Sequence, residues 1–441
     1  MKYYNRSIDN HLKNWISDNN RKPLLLRGAR QVGKSSAVRE LSKNFEYYLE
    51  VNFEEHKQIA VFFEGDLTPS IICENLSAYF KTPIIAGKTL LFFDEIQACP
   101  QAISSLRFFY EKYPELHLIA AGSLLEFALR NLPSFGVGRI RSIFLHPFTF
   151  NEFLSALGEN ALVGLVKKSS ASNPLALPFH TKLIDLNKKF YLLGGMPEVV
   201  AHYVENRDLF ACQQILEDLI LSYKADFSKY NEQVPELRLL EVLNSVVQQT
   251  GSKFVFSNIH SEANHKQLKQ ALDLLILAGL VIPVTHTSAN GLPLGAEINY
   301  KKRKMLVFDT GIFQRLSGLN FTDLLVSNDW NVVNKGAIAE MFVGLELQKY
   351  ASPFQKTDCY YWHRESLNSN AEVDYVIALN SNIYPIEVKA NTSGSMRSMN
   401  IFMNEKSSKN GIRISLENFS QYDKILVFPL YAIENITKIS E

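Results

Sequence analysis

Cysteine is scarce in this chain. Its 441 residues hold four, Cys73, Cys99, Cys212 and Cys359, far apart and never in a CxxC pair. That spacing excludes a disulfide framework and a cysteine zinc site, and it fits a reducing compartment. The ten histidines never reach zinc-site spacing either. Net charge is missing too: 46 Lys and Arg against 45 Asp and Glu leave +1. So small a balance argues against a protein that coats nucleic acid or membrane by bulk electrostatics, though not against a local basic patch. No hydrophobic run is long. The greasiest stretch, 272–284, contains Asp273 and is too short to span a bilayer. The N-terminus leads into polar sequence without the apolar core of a signal peptide. The expectation is a soluble, cytoplasmic protein with no membrane partner.

What is present suffices for several cores. Apolar residues make up 46% of the chain, and at roughly 150 residues per domain the length suggests about three domains. Residues 1–155 alternate short apolar runs, at 22–26, 47–53, 89–93 and 116–121, with helix-length intervals such as 35–44. Strands alternating with helices imply a parallel sheet covered on both faces, and continuous apolar strands support burial on both sides. A polar linker at 167–174 leads into a helical pattern from about 176 to 250, broken at Gly194-Gly195-Met196-Pro197. Helices expected at 237–249 and 265–278, followed by two strands, match a winged helix-turn-helix. The expected organisation is an α/β segment at 1–155, a helical lid at 156–234, a winged-helix-like segment at 235–315 and a second α/β segment at 316–441.

Gly28-Ala29-Arg30-Gln31-Val32-Gly33-Lys34-Ser35 satisfies GxxxxGK[ST] between an apolar strand and a helix. The glycines let backbone N–H groups wrap phosphates, the lysine brings charge to the β- and γ-phosphates, and the Ser35 hydroxyl ligates Mg²⁺. The helix contributes its positive dipole end. With Ser36, these nine residues are the candidate ATP-binding set. The second half of such a site is acidic: Leu90-Leu91-Phe92-Phe93 ends in Asp94, expected to hold Mg²⁺, and Glu95, expected to orient and polarise the attacking water. Ser123 would stand at the tip of the next strand and sense the γ-phosphate, with a helix N-cap as the competing reading. Arg139, in Val137-Gly138-Arg139-Ile140, is a candidate finger that neutralises transition-state charge, against a surface role and the rivals Arg107 and Arg141.

These motifs resemble a bacterial and archaeal AAA-type ATPase family that carries a C-terminal domain of unknown function. The likeness runs through Phe93-Asp94-Glu95-Ile96-Gln97, Ala121-Gly122-Ser123-Leu124-Leu125 and His146-Pro147-Phe148-Thr149-Phe150-Asn151-Glu152-Phe153. It continues through Gly194-Gly195-Met196-Pro197, Tyr223-Lys224-Ala225-Asp226-Phe227 and Asp309-Thr310-Gly311. The resemblance implies a P-loop NTPase fold, ATP and Mg²⁺ as cofactors, hydrolysis with Lys34, Ser35, Asp94 and Glu95, and a homo-oligomer as a candidate assembly.

Near the C-terminus, Glu372-Val373-Asp374 and Ile386-Glu387-Val388-Lys389 lie in two strand patterns joined by a turn at Asn380-Ser381-Asn382. Alternation puts Glu387 and Lys389 on one face, and the hairpin can bring Asp374 beside them. Glu340 falls on a small, apolar helix face, where a lone carboxylate needs a metal, a lysine or a hydrogen-bonded partner. The set Glu340, Asp374, Glu387 and Lys389 resembles the restriction-endonuclease-like superfamily and is a candidate metal site of a nuclease. Ion pairs on a solvated sheet are the competing reading. The basic run Lys301-Lys302-Arg303-Lys304, placed where a wing turn would be, offers four cations to DNA phosphates or forms a solvated loop. Asp309-Thr310-Gly311 reads as a helix N-cap. Together the expectation is an ATPase whose nucleotide state controls winged-helix and nuclease-like modules, with DNA a candidate partner. The alternative is an ATP-dependent switch whose C-terminal half only contacts proteins.

Overall fold

The computed structural model describes residues 2–123, 125–131, 136, 138–227, 234–319, 335–364 and 370–439. Leu124 and Val137, quoted within motifs above, lie outside the described residues. The chain divides into two compact units: Met1–Pro147 with Ser352–Lys356, and Phe148–Ala351 with Thr357–Glu441.

The first unit runs α1 (Ser7–Ile16), β1 (Leu24–Arg27), α2 (Lys34–Leu41), β2 (Tyr47–Asn52), α3 (Pro69–Phe80), β3 (Thr89–Asp94), α4 (Pro100–Lys112), β4 (His117–Ala121), α5 (Leu125–Asn131) and β5 (Arg141–Phe144). The strands stand in the order β2-β3-β4-β1-β5, every pair parallel. β3 and β4 are buried at every residue, as central strands covered on both faces must be. One face packs Leu91, Phe93, Leu118 and Ala120 against Phe53, Phe63, Ile103 and Phe109. Phe93 meets Phe53, Phe63 and Phe109 edge-to-face, the orientation that ring quadrupoles favour. Because the strands are parallel, the loops leaving β1, β3 and β4 all open at one edge of the sheet. β4 sits between β1 and β3, so the loop after β4 separates the other two.

The second unit begins with helices α6 (Phe150–Ala156), α7 (Asn160–Lys168), α8 (Leu177–Leu193), α9 (Pro197–Asn206), α10 (Leu209–Asp226), α11 (Glu236–Gln248) and α12 (His265–Leu277). The hairpin β6 (Val281–Thr287) and β7 (Ile298–Val307) follows, then α13 (Thr310–Leu316), α14 (Lys335–Lys349), β8 (Cys359–His363), β9 (Glu372–Leu379), β10 (Asn382–Val388), α15 (Arg397–Lys406), β11 (Gly411–Ser415), β12 (Ser420–Tyr422) and β13 (Ile425–Pro429). One mixed sheet collects all eight strands in the order β12-β13-β11-β10-β9-β8-β6-β7. The β9–β10 turn has Asn380 and Ser381 both at positive φ, 47° and 61°, the backbone of a two-residue hairpin whose twist suits the strands.

Two sequence motifs are explained by packing in this unit. Gly194 ends α8 at φ 69°, and a Cβ there would meet Asp309 Oδ1 at 2.1 Å. Asp309 caps α13 through Ile312 N at 3.1 Å and accepts Gly195 N at 2.7 Å. The Gly-Gly-Met-Pro and Asp-Thr-Gly segments are therefore two halves of one tight junction. Thr149 and Glu152 likewise form the capping box of α6.

One expectation is corrected here. The basic run lies inside β7, not at a turn. The β6 ladder passes from Arg303 to Asn299 across a register shift, leaving residues 300–302 in a bulge. Lys301 is exposed and Lys302 and Arg303 are half-buried, whereas Lys304 points inward and only 1% of its surface is accessible. The bulge at 300–302 and the passage of the strand into the interior from Lys304 onward split a run that looks continuous in one dimension.

Candidate functional site

The phosphate loop is built by its own sequence. Gly28 has φ 141°, and a Cβ would strike the Leu145 carbonyl oxygen at 2.1 Å. Gln31 and Gly33 are also at positive φ, 63° and 97°. Gly33 is the N-cap of α2 and Lys34 its first residue, so the helix N-terminus and its free N–H groups face the loop. Lys34 is buried, and its ammonium donates to the carbonyls of Gly28 at 3.0 Å and Ala29 at 2.8 Å. Burial lowers it to about 8, against the pull of Glu95 and Asp94. Arg6, absent from the sequence reading, braces the loop: its guanidinium donates to Val32 O at 3.4 Å and His146 O at 2.8 Å. No local motif marks it.

The acids meet this loop across the sheet edge. Ser35 Oγ donates to Asp94 Oδ2 at 2.9 Å, and burial raises the Asp94 carboxyl above the usual range. A hydroxyl and a carboxylate joined in this way are the two oxygen donors that suit a hard divalent cation, so the residues present fit Mg²⁺. Glu95, at φ 48°, turns its Oε2 toward β4. It accepts from Ser123 Oγ at 3.1 Å, Ser123 N at 3.3 Å and Gln97 Nε2 at 2.6 Å. Gln97 was not among the expected site residues, although it stands in the same run as Glu95. A side chain at Gly122 would meet Gln97 Oε1 at 2.0 Å, so the glycine makes room for this clamp.

The arginines divide. Arg139 forms an exposed ion pair with Glu111 of α4, not with an acid of the phosphate site. Arg141 pairs with Asp18 at 3.4 Å, and Arg107 lies over Phe108 at 4.4 Å.

In the second unit the expected carboxylates gather with a residue that was not expected among them. Lys304 Nζ lies 2.8 Å from Glu340 Oε1, 2.5 Å from Glu372 Oε1 and 3.9 Å from Asp374 Oδ1. It also sits 5.3 Å from the centroid of the Tyr361 ring. Asp374 Oδ2 accepts Val388 N at 2.8 Å, and Lys389 Nζ donates to Glu387 Oε1 at 2.6 Å. The other oxygen of Glu387 is buried without a hydrogen-bond partner among the described residues, in a residue only 7% exposed. Burial pushes Glu340 up to about 8 and Glu387 up to about 7, in both cases with help from Asp374. Burial alone would lower the Lys304 ammonium, but Glu340, Asp374 and Glu372 hold it above its ordinary value. Among the described residues, no three His, Cys, Asp or Glu side chains are disposed to hold a metal ion. No helix is long and apolar enough to cross a membrane, among the same residues.

Residues 20–154 match the family described as AAA domain. They form a P-loop AAA-type domain. Residues 184–323 and 335–433 match two families described only as domains of unknown function, DUF8612 and DUF4143. No curated protein matches the chain in sequence. Among solved structures, it is similar to a Walker-type ATPase of Pyrococcus abyssi, at 16% identity and TM-score 0.45, over 71% of this chain and 96% of that one. It is also similar to the ORC1 protein of Aeropyrum pernix in complex with DNA, at 14% and 0.30, over 72% and 94%. A third likeness is to the signal transduction ATPase with numerous domains from Pyrococcus horikoshii, which has a tetratricopeptide repeat sensor, at 12% and 0.28, over 78% and 48%. At these TM-scores the likenesses assign neither activity nor partner. The AAA domain carries the phosphate loop and both of its acids within the matched residues.

Proposed function

We propose that the AAA domain binds ATP with Mg²⁺ at residues 28–36 and hydrolyses it to ADP and phosphate. The observation that carries this reading is the Ser35–Asp94 hydrogen bond at 2.9 Å, with Glu95 held beside it by Ser123. Backbone N–H groups of the loop and the α2 N-terminus bind the phosphate oxygens, and Lys34 exchanges its two carbonyl partners for the β- and γ-phosphates. Ser35 and Asp94 would hold Mg²⁺, which when bound draws charge from the phosphate oxygens. Glu95 accepts a proton from water as the water oxygen attacks the γ-phosphorus, and the bond to the bridging oxygen breaks with ADP as leaving group. Ser123 keeps the Glu95 carboxylate aimed. Arg139, exposed on the domain surface, would serve as a finger only by giving up Glu111.

The nucleotide state is read as controlling the second unit, where residues 301–303 offer cations to DNA and Glu340, Asp374 and Glu387 stand together with Lys304 and Lys389. The test is phosphate release with Mg²⁺, with and without DNA, beside nucleotide binding. Glu95→Gln is expected to keep ATP affinity and lose about 10²-fold or more in turnover. Unchanged hydrolysis would remove Glu95 from its role. Binding without turnover in the native chain would favour the ATP-dependent switch with a non-catalytic C-terminal half.

A further inference from the structure

Glu95 is held by a neighbour to which the chemistry above gives no task. Its Oε2 accepts from three donors: Gln97 Nε2 at 2.6 Å, Ser123 Oγ at 3.1 Å and Ser123 N at 3.3 Å. Gln97 makes the shortest of the three contacts. It stands in the 3₁₀ turn Ile96–Ala98, which opens directly after Glu95 and its positive φ of 48°. The chain therefore folds back on itself within two residues to bring the amide to the carboxylate. Ser123 reaches the same oxygen from the loop that leaves β4.

This arrangement is locally unfavourable. Turning Nε2 to Glu95 sends the other amide atom, Oε1, against Gly122, where it is buried without a hydrogen-bond partner among the described residues. A buried carbonyl oxygen left in that state costs free energy and calls for an explanation. Inverting the amide gives no relief, because it would set oxygen against carboxylate oxygen. Position 122 is fitted to the same end, since a Cβ there would lie 2.0 Å from Gln97 Oε1. Two positions from different loops thus serve one contact, the bond from Gln97 to Glu95.

We propose that Gln97 is a positioning residue for ATP hydrolysis, fixing the Glu95 carboxylate by Oε2 so that Oε1 receives the proton of the attacking water. This rests on reading Glu95 as the base. Gln97 acts through Glu95 and not on the nucleotide, and Gly122 acts through Gln97 by leaving it room. A general base works only within hydrogen-bond reach of the proton it takes, so a small misplacement slows the chemical step without weakening substrate binding.

Steady-state phosphate release by the full chain with ATP and Mg²⁺ provides the test. Gln97→Met keeps the length of the side chain and removes both amide atoms. It is expected to lower kcat about tenfold and leave KM for ATP within about twofold of the native value. Gly122→Ala should do the same by driving Oε1 from its seat, and the double variant should be no slower than either single one, since both remove one contact. Unchanged or faster turnover in Gln97→Met, with Glu95→Gln inactive, would overturn the proposal and leave Glu95 as the base. A loss carried mainly by KM, or losses that multiply in the double variant, would overturn it too. Unchanged hydrolysis in Glu95→Gln, or a native chain that binds ATP without hydrolysing it, would end both readings. Should Gly122→Ala fail to fold, Gln97→Met is placed in the Glu95→Gln chain and followed in single turnover. No further loss is expected there, and a further loss of about tenfold means that Gln97 does not act through Glu95.

Discussion

The two polar centres of this protein are built on opposite plans. In the AAA domain the phosphate loop is one continuous segment, and its lysine is satisfied by carbonyls five and six residues away. In the second unit, the buried cluster takes its side chains from α14, β7, β9 and β10, and its central lysine is satisfied by acids 36 to 70 residues distant. A loop closed on itself can exchange its internal bonds for a ligand without unfolding anything else. A cluster assembled from separate elements is part of what holds them together. Function should therefore be separable from stability at the first centre and inseparable at the second.

Lys34→Ala gives the largest effect and the sharpest test of that contrast. Nucleotide binding should be lost and phosphate release fall by about 10²–10³-fold, while the unfolding temperature moves by less than about 4 °C. A large melting shift would break the distinction. At the second centre the expected outcome is reversed. Lys304→Ala leaves the buried Glu340 and the half-buried Glu372 and Asp374 without their shared cation and should cost about 3–5 kcal/mol, read as a lower melting temperature of the second unit. Pairing Lys304→Met with Glu340→Gln should recover part of that loss, because both members of a buried pair are then neutral.

Gly344→Ala probes the support of the same cluster. A Cβ there would meet Tyr375 Oη at 2.3 Å and Leu306 Cδ1 at 2.8 Å, and Tyr375 Oη donates to the Glu340 carbonyl at 2.7 Å. The overpacking should cost about 1–3 kcal/mol, with ATP turnover per folded molecule unchanged.

The smallest effect is acid sensitivity in the first unit. His117 is buried between Trp15 and Phe45, with Nε2 against Ile16 O. Burial holds its pKa below the ordinary imidazole value, and Arg21 lowers it further. The unfolded chain then takes up the proton first. Stability is fully present above about pH 6.5 and is lost as pH falls toward the folded value, by at most about 1.4 kcal/mol per pH unit. His117→Gln should flatten that dependence in thermal melts between pH 7 and 5, read at the unfolding of the first unit.

The phosphate site was legible because its geometry is local. Positive φ at Gly28 and Gly33, the lysine at the head of α2 and an apolar strand ending in Asp94-Glu95 all occur within short stretches of chain. Arg6 and Gln97 escaped because their partners are identified only after folding: Val32 and His146 for the first, a carboxylate rotamer for the second. At the other centre the helix pattern of Glu340 showed that it needed a partner, and lysine was one of the partners it allowed. Which lysine could not be read, since Lys304 sits in a run of four cations that composition treats alike.

By itself, then, the sequence determined a parallel α/β domain with a phosphate loop, because backbone permissiveness, strand hydrophobicity and helix polarity act over a few residues. Only the tertiary structure decided that β4 carries Ser123 to Glu95, that the hairpin β6–β7 edges the same sheet as β9 and β10, and that Lys304 lies among the acids. Those outcomes depend on strand order and register, which bring together residues whose separation along the chain carries no trace of their separation in space.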